Sequence, residues 1–356
     1  MSQRAVTRHL VLDQLSRVSL LRGQSGTGDP STALPIKNVL THPTNPTSKE
    51  NASVFFIGTA TTVLEWRGFR ILTDPNFLHA GDHVHLGPGV TSQRKTNPAV
   101  ELDKLPQLDC ILLSHYHEDH FDRLVEDSLN RNFPIVTTPH AKRCLTSSSR
   151  TEPFKSVYAL DFFESMLLEC RDSIKSETEE SLRPAIKVTG MPGKHVPPGP
   201  ISKLNDILKA VPPTNGWLLE MGWESVTGNI GLHDKPASEF NSGYRIYISG
   251  DTLFVDELQD IPKWLEGKQI DLMLIHLGGT TIPGALAPLV MVTMDAKQGL
   301  QLIRLVNPDI TIPIHYDDYD VFLSPLSDFT KEIEHAGLQN RVVYLNRGEQ
   351  YQFTVQ

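Results

Sequence analysis

From Ser53 to the C-terminus the chain is a succession of short apolar runs broken by polar turns. Val54–Ile57 and Thr62–Trp66, rich in β-branched and aromatic residues, predict strands. Arg67 and Gly68 are the two-residue spacer of a hairpin that returns through Phe69–Leu72. Further strands are predicted over 108–113, 134–138, 155–160 and 185–189. A second batch is predicted over 216–221, 244–249, 270–276, 309–313, 341–345 and 350–354. Between 295 and 306 the spacing turns helical, with Ala296, Leu300, Ile303 and Leu305 repeating and Gly299 as a weak point. Residues 325–336 predict another helix. Two batches of strands with helices between them fit a layered α/β protein.

The first 48 residues read differently. Arg4, Arg8, Arg17 and Arg22 stand with a single acid, Asp13, over residues 2–22. Leu10, Val11, Leu15, Val18 and Leu21 predict one apolar face of an amphipathic helix. Such a helix could pack on the body, lie on a lipid surface, or act as a mitochondrial targeting segment. Gly23–Ser48, rich in Gly, Pro, Ser, Thr and Asn, predicts a connector. The expected division is therefore an N-terminal arm, 1–48, and a main domain, 49–356.

Composition narrows the partners. A chain of 356 residues, 39% hydrophobic and 21% charged, can bury a substantial core. A net charge of −9 argues against a nucleic-acid surface, which needs clustered Lys and Arg. Cys110, Cys144 and Cys170 form no close pair and read as reduced thiols. That predicts a cytoplasmic protein, with mitochondrial targeting as the alternative. No run approaches the roughly 18 apolar residues of a membrane span.

The chemistry concentrates in one place. His115, His117, Glu118, Asp119 and His120 fall within six residues, directly after the apolar run 108–113. Imidazole nitrogen and carboxylate oxygen are ligands for zinc and related divalent ions. His115 and His117 lie two apart, so extended backbone points both to the same side. A strand that ends in such a cluster is suited to hold metal and unsuited to a core.

The spacing His-x-His-x-Asp-His resembles the signature of the metallo-β-lactamase-fold hydrolases. Four further positions match that family's motifs in order: Asp74 in Ile71–Pro75, His195 in Gly190–His195, Asp251 in Tyr247–Thr252, and His315 in Ile312–Tyr316. The resemblance runs from about residue 53 to the C-terminus. It implies an αβ/βα four-layer sandwich with an N-terminal extension. It implies two divalent ions, zinc or else manganese or iron, with His115, His117 and His195 on one and Asp119, His120 and His315 on the other. Asp251 would bridge them, and Asp74 would brace the loops without ligating. A bridging hydroxide would be the nucleophile, oriented by Asp119 as the catalytic carboxylate. His276 and Tyr316 are candidates for substrate contact.

The resemblance is closest to the N-acylphosphatidylethanolamine phospholipase D and L-ascorbate-6-phosphate lactonase branches, through the Ile57–Ala60 start and the Leu72–Pro75 motif. A small-molecule substrate is implied, with a homo-oligomer possible. Three readings stay open: hydrolysis of a small cyclic ester or amide, cleavage of a lipid-like phosphodiester, and a non-catalytic metal-binding protein. Lys194 and the pair Arg94 and Lys95 are the candidate phosphate binders. Residues 77–98, carrying His79, His83 and His85, predict a loop overhanging the site, and Asn229–Asn241 a polar excursion.

Overall fold

In this computed structural model, residues 8–23, 33–87, 89–171, 182–200, 202–203, 205, 211–225, 239–282 and 289–356 are described. Most of the Asn229–Asn241 excursion lies outside them. Two sheets stack face to face. The first has seven strands, in the spatial order Arg8–Asp13, Ser165–Arg171, Leu182–Met191, Gly216–Ser225, Glu239–Ile248, Leu272–His276 and Ile310–Ile314. The second has eight, in the order Val157–Ala159, Ile135–Thr137, Cys110–Leu112, Phe69–Thr73, Thr61–Trp66, Ala52–Gly58, Glu349–Phe353 and Asn38–Leu40.

Strand periodicity explains the layers. Val54 and Phe56 point between the sheets, where they meet Leu168, Ile186, Leu219, Ile246 and Ile312. Phe55 and Ile57 point the other way, against Val125 and Leu129 around the short helix Arg123–Ser128 and Ala141 and Leu145 of Pro139–Leu145. Burial on both faces is why Val54–Ile57 is a continuous apolar run instead of an alternating one. On the outer face of the seven-stranded sheet, Met273 and Ile275 pack on Leu300, Ile303, Phe329 and Ile333 of the helices Ala296–Val306 and Leu326–Ala336. The result is helix, sheet, sheet, helix: an αβ/βα sandwich. Arg67 and Gly68 both adopt positive φ, 50° and 78°, the requirement of a type I′ hairpin turn.

Three expectations need correction. The amphipathic helix over 4–22 is absent from its described part: Arg8–Asp13 is an edge strand, parallel to Ser165–Arg171. Leu10 and Leu12 alternate into the core while Leu15 is exposed, so the true period is two. Asn38–Leu40 joins the other sheet beside Glu349–Phe353, so the arm contributes to both sheets and the division at residue 48 does not separate it from the body. Residues 341–345 form no strand; a 3-10 turn at Gln339–Arg341 precedes one isolated bridge between Thr311 and Val342. Among the described residues no helix is long and apolar enough to cross a membrane.

Candidate metal centre

Strands from both sheets end at one edge of the sandwich, and their ends carry the functional side chains. Cys110–Leu112 leads to His115–His120, Phe69–Thr73 to Asp74, Leu182–Met191 to His195, Glu239–Ile248 to Asp251, and Ile310–Ile314 to His315. Three groups of side chains bring ligand-type atoms within 4.8 Å of one another: His115, His117 and His195; Asp119, His120, Asp251 and His315; Asp74, His120 and His276. All are buried except His117, which is partly exposed. The seven residues singled out in the sequence thus form two adjoining clusters, and Asp251 Oδ2 lies 3.3 Å from His120 Nε2, 3.5 Å from His315 Nε2 and 4.0 Å from His195 Nε2.

Four of the imidazoles, those of His115, His120, His195 and His315, are held by one nitrogen and present the other. His195 Nδ1 pairs with the Val292 carbonyl at 2.5 Å and His315 Nδ1 with the Leu277 carbonyl at 3.0 Å. His120 Nδ1 faces Asp74 Oδ2 at 3.1 Å, and His115 Nδ1 faces the Ser114 hydroxyl at 2.9 Å. An Nδ1–H donated outward leaves the Nε2 lone pair aimed inward, the arrangement that orients metal-binding histidines. Correspondingly, Nε2 of His115, His117, His120 and His315, with Oδ1 of Asp119 and Asp251, are buried without a hydrogen-bond partner. Buried polar atoms are rarely orphaned, because desolvation without a partner costs about 1–3 kcal/mol each. Convergent orphans of imidazole and carboxylate type fit divalent cations.

Charge tells the same story. Asp74, Asp119 and Asp251 are ion-paired with histidines alone among the described residues. Burial pushes the Asp119 and Asp251 carboxyls up, but neighbouring histidine charge outweighs it and holds both well below the usual range. For His120 burial works against the charged form, yet Asp251, Asp119 and Asp74 raise it well above an ordinary histidine. His195, buried with weaker acidic compensation, falls to about 4 and is neutral. The buried carboxylates therefore favour the protonated rings of His120 and His315, while burial keeps His115 and His195 neutral.

The backbone around the cluster is strained. Thr59, Asp74, His315 and Asp317, none of them glycine, have φ between 34° and 60°. Thr59 is pinned from both sides: its carbonyl accepts from the His315 amide at 2.7 Å, and its amide donates to Asp318 Oδ2 at 2.7 Å. Asp318 in turn meets Thr96 and Arg347. That buried clamp fixes the loop carrying His315.

A family model described as the Beta-lactamase superfamily domain matches residues 53–161. A UPF0173 metal-dependent hydrolase from Archaeoglobus fulgidus is 26% identical over 247 residues, 69% of this chain and 82% of that protein. Among solved structures, an isothiocyanate hydrolase from Delia radicum gut bacteria aligns with a TM-score of 0.60 at 17% identity, over 85% of this chain and 99% of that one. A possible metal-dependent hydrolase from Veillonella parvula aligns with the same TM-score at 16% identity, over 85% and 100%. This chain has the metallo-β-lactamase fold.

Within this metallo-β-lactamase-fold chain the remaining candidates occupy distinct places. Asp74 accepts the Ser114 amide through Oδ1 at 2.7 Å while its Oδ2 meets His120. His276 stands behind the cluster, its Nε2 3.7 Å from Asp74 Oδ2 and its Nδ1 3.3 Å from the Ser249 hydroxyl. Tyr316 does not offer its hydroxyl to the cluster: it donates to the Leu345 carbonyl at 3.2 Å. Thr293, which donates to Asp251 Oδ2 at 3.0 Å, was not legible in the sequence, since a lone threonine in a loop carries no motif. Residues 77–98 form a hairpin, His83–His85 with Thr91–Gln93, packed on Tyr319, Val321 and Phe322; the Phe322 ring lies 4.4 Å from that of His315. Its three histidines form no metal-type group among the described residues.

Proposed function

We propose that this chain is a hydrolase dependent on two divalent ions, with zinc the first choice, acting on a small cyclic ester or amide. The observation that carries the reading is the set of buried, inward-facing Nε2 and carboxylate atoms without partners. His115, His117 and His195 would hold one ion, Asp119, His120 and His315 the other, and Asp251 both. Ions so bound would supply a water ionised near neutral pH and a Lewis acid for the substrate carbonyl. The protein's own part is positional. Asp119, held ionised with Oδ1 3.2 Å from His117 Nδ1, would fix the attacking water and carry its proton to the leaving group. The outward bonds of His120, His195 and His315 would keep each ring from turning as charge develops.

The cyclic ester or amide is favoured over a phosphodiester by the fate of two of the three candidate cations, Lys95 being the exposed third. Arg94 is 1% exposed, with its guanidinium over the Tyr319 ring and bonded to Asn76. Lys194 pairs with Glu257 at 3.3 Å. Neither is presented for a phosphate, although phosphodiester recognition needs such donors. A panel of lactones, lactams and phosphodiesters assayed on zinc- and manganese-loaded protein tests the reading. Lactone or lactam turnover, reduced on the order of 10²-fold or more by Asp119→Asn, is expected. Turnover confined to phosphodiesters, or Asp119→Asn with full activity, would refute it.

A further inference from the structure

A largely apolar groove is walled by segments that adjoin the candidate metal centre along the chain. Its walls are three segments that each begin at the cluster: Pro197 and Pro198 after His195, Leu253 and Phe254 after Asp251, and Val290 and Met291 before Val292. These segments are stitched together at their inner ends. The Leu253 amide donates to the Lys194 carbonyl at 2.9 Å, the Met294 amide to the Thr252 carbonyl at 3.0 Å, and His195 Nδ1 binds the Val292 carbonyl. The groove has a volume of about 470 Å³, within the ordinary range of small-molecule sites.

Its chemistry is one-sided. Leu289, on the wall, is 77% exposed, an apolar side chain left to water. Gln298 is already spent on the Phe254 amide at 2.8 Å. Asp256 and Glu257 are the charged groups of the lining; no lysine or arginine is among its described residues. An anionic tail would meet Asp256 beside the Glu257–Lys194 pair, whereas an apolar tail would cover Leu289, Phe254 and Met291.

We propose that this groove receives the uncharged alkyl or acyl chain of the substrate whose scissile carbonyl lies at the histidine and aspartate cluster. The assignment rests on the hydrolase reading above. Two measurements separate the two claims. In the first, kcat/KM is followed along a series of γ-lactones bearing linear tails from ethyl to octyl. A rise of at least about 10-fold is expected, flattened by Leu289→Glu. In the second, methyl NMR of the metal-loaded protein follows Met291 during titration with decanol and, separately, decanoate. Decanol should shift the Met291 methyl signal and bind at least about 10-fold tighter than decanoate, and Leu289→Glu should weaken it. If no lactone turns over while decanol still shifts Met291, the hydrolase reading fails and the groove assignment stands. Lactone turnover independent of tail length, with Met291 insensitive to decanol or equally sensitive to decanoate, would overturn the groove and leave the hydrolase intact.

Discussion

Asp74→Asn exchanges one buried carboxylate oxygen for an amide nitrogen at the point where two loops of the candidate metal centre are joined. Asp74 Oδ1 accepts the Ser114 amide at 2.7 Å and Oδ2 faces His120 Nδ1 at 3.1 Å. Both neighbours are donors, so an asparagine placed there must aim its NH2 at one of them. If it faces His120, the ring can relieve the clash only by moving its proton to Nε2, which removes the lone pair directed toward Asp251. If it faces Ser114, the amide that begins the His115–His120 loop is left unsatisfied. Losing a hydrogen bond to a charged group costs about 1.5–3 kcal/mol, and loss of an outer partner of a metal-binding histidine weakens metal affinity roughly 10–100-fold. The two scales agree at about 1.4 kcal/mol per decade. The ion beside His120 should suffer most, because Asp74 shares a metal-type group with His120 and, among the described residues, none with His115, His117 and His195. Titration of the ion-free protein with Co(II) against a competing chelator should show one affinity lowered roughly 10–100-fold and the other changed by less than about 3-fold. Circular dichroism should stay unchanged. Two unaltered affinities, or equal loss of both in a folded protein, would refute the bracing role.

Three other outcomes follow from packing and burial. Leu12→Ala should cost about 2 kcal/mol in denaturant unfolding, because Leu12 is 3% exposed, whereas Leu15→Ala should fall within about 0.5 kcal/mol, because Leu15 is 74% exposed; a helix would make Leu15 the costly one. Gly222→Ala should destabilise by about 1–3 kcal/mol and lower Tm, since a Cβ would sit 2.0 Å from the Asn241 carbonyl oxygen where the strands shift register. Burial pushes the Cys110 thiol up to about 12, so the unfolded chain loses that proton first and Cys110's contribution to stability falls as pH rises from about 8.5 toward about 12. Alkylation at pH 8 read by mass spectrometry should accordingly mark the partly exposed Cys144, and reach buried Cys110 and Cys170 only in denaturant.

The strands of the core and the long helices were legible because each carries its own period. The runs at 54–57 and 62–66 and the helices at 296–306 and 326–336 lie within two residues of where their patterns place them. Gly299, a weak helix former by propensity, is there because Leu277 packs against it: a Cβ would come within 2.6 Å of that side chain. The N-terminal strand is hidden from the sequence because Leu10, Leu15, Val18 and Leu21 satisfy a helical spacing by accident, and local pattern carries no information about a partner strand at Ser165–Arg171, where Arg8 pairs with Met166. Ser165–Arg171 itself was missed; Glu169 and Cys170 interrupt its alternation. The metal-type side chains were readable because their chemistry is unusual in loops. Thr59, Asp318 and Thr293 were not, since Thr59 acts through its backbone and the other two through side-chain hydrogen bonds that have no sequence signature.

Metal content decides whether the histidine and aspartate cluster is a catalytic centre. Elemental analysis of protein purified without chelator should find close to two equivalents of divalent ion per chain, with His117→Ala and His315→Ala each retaining about one and Asp251→Ala losing most of both. A folded wild-type protein that neither carries nor takes up divalent metal, and whose activity is unaffected by chelators, would contradict that reading.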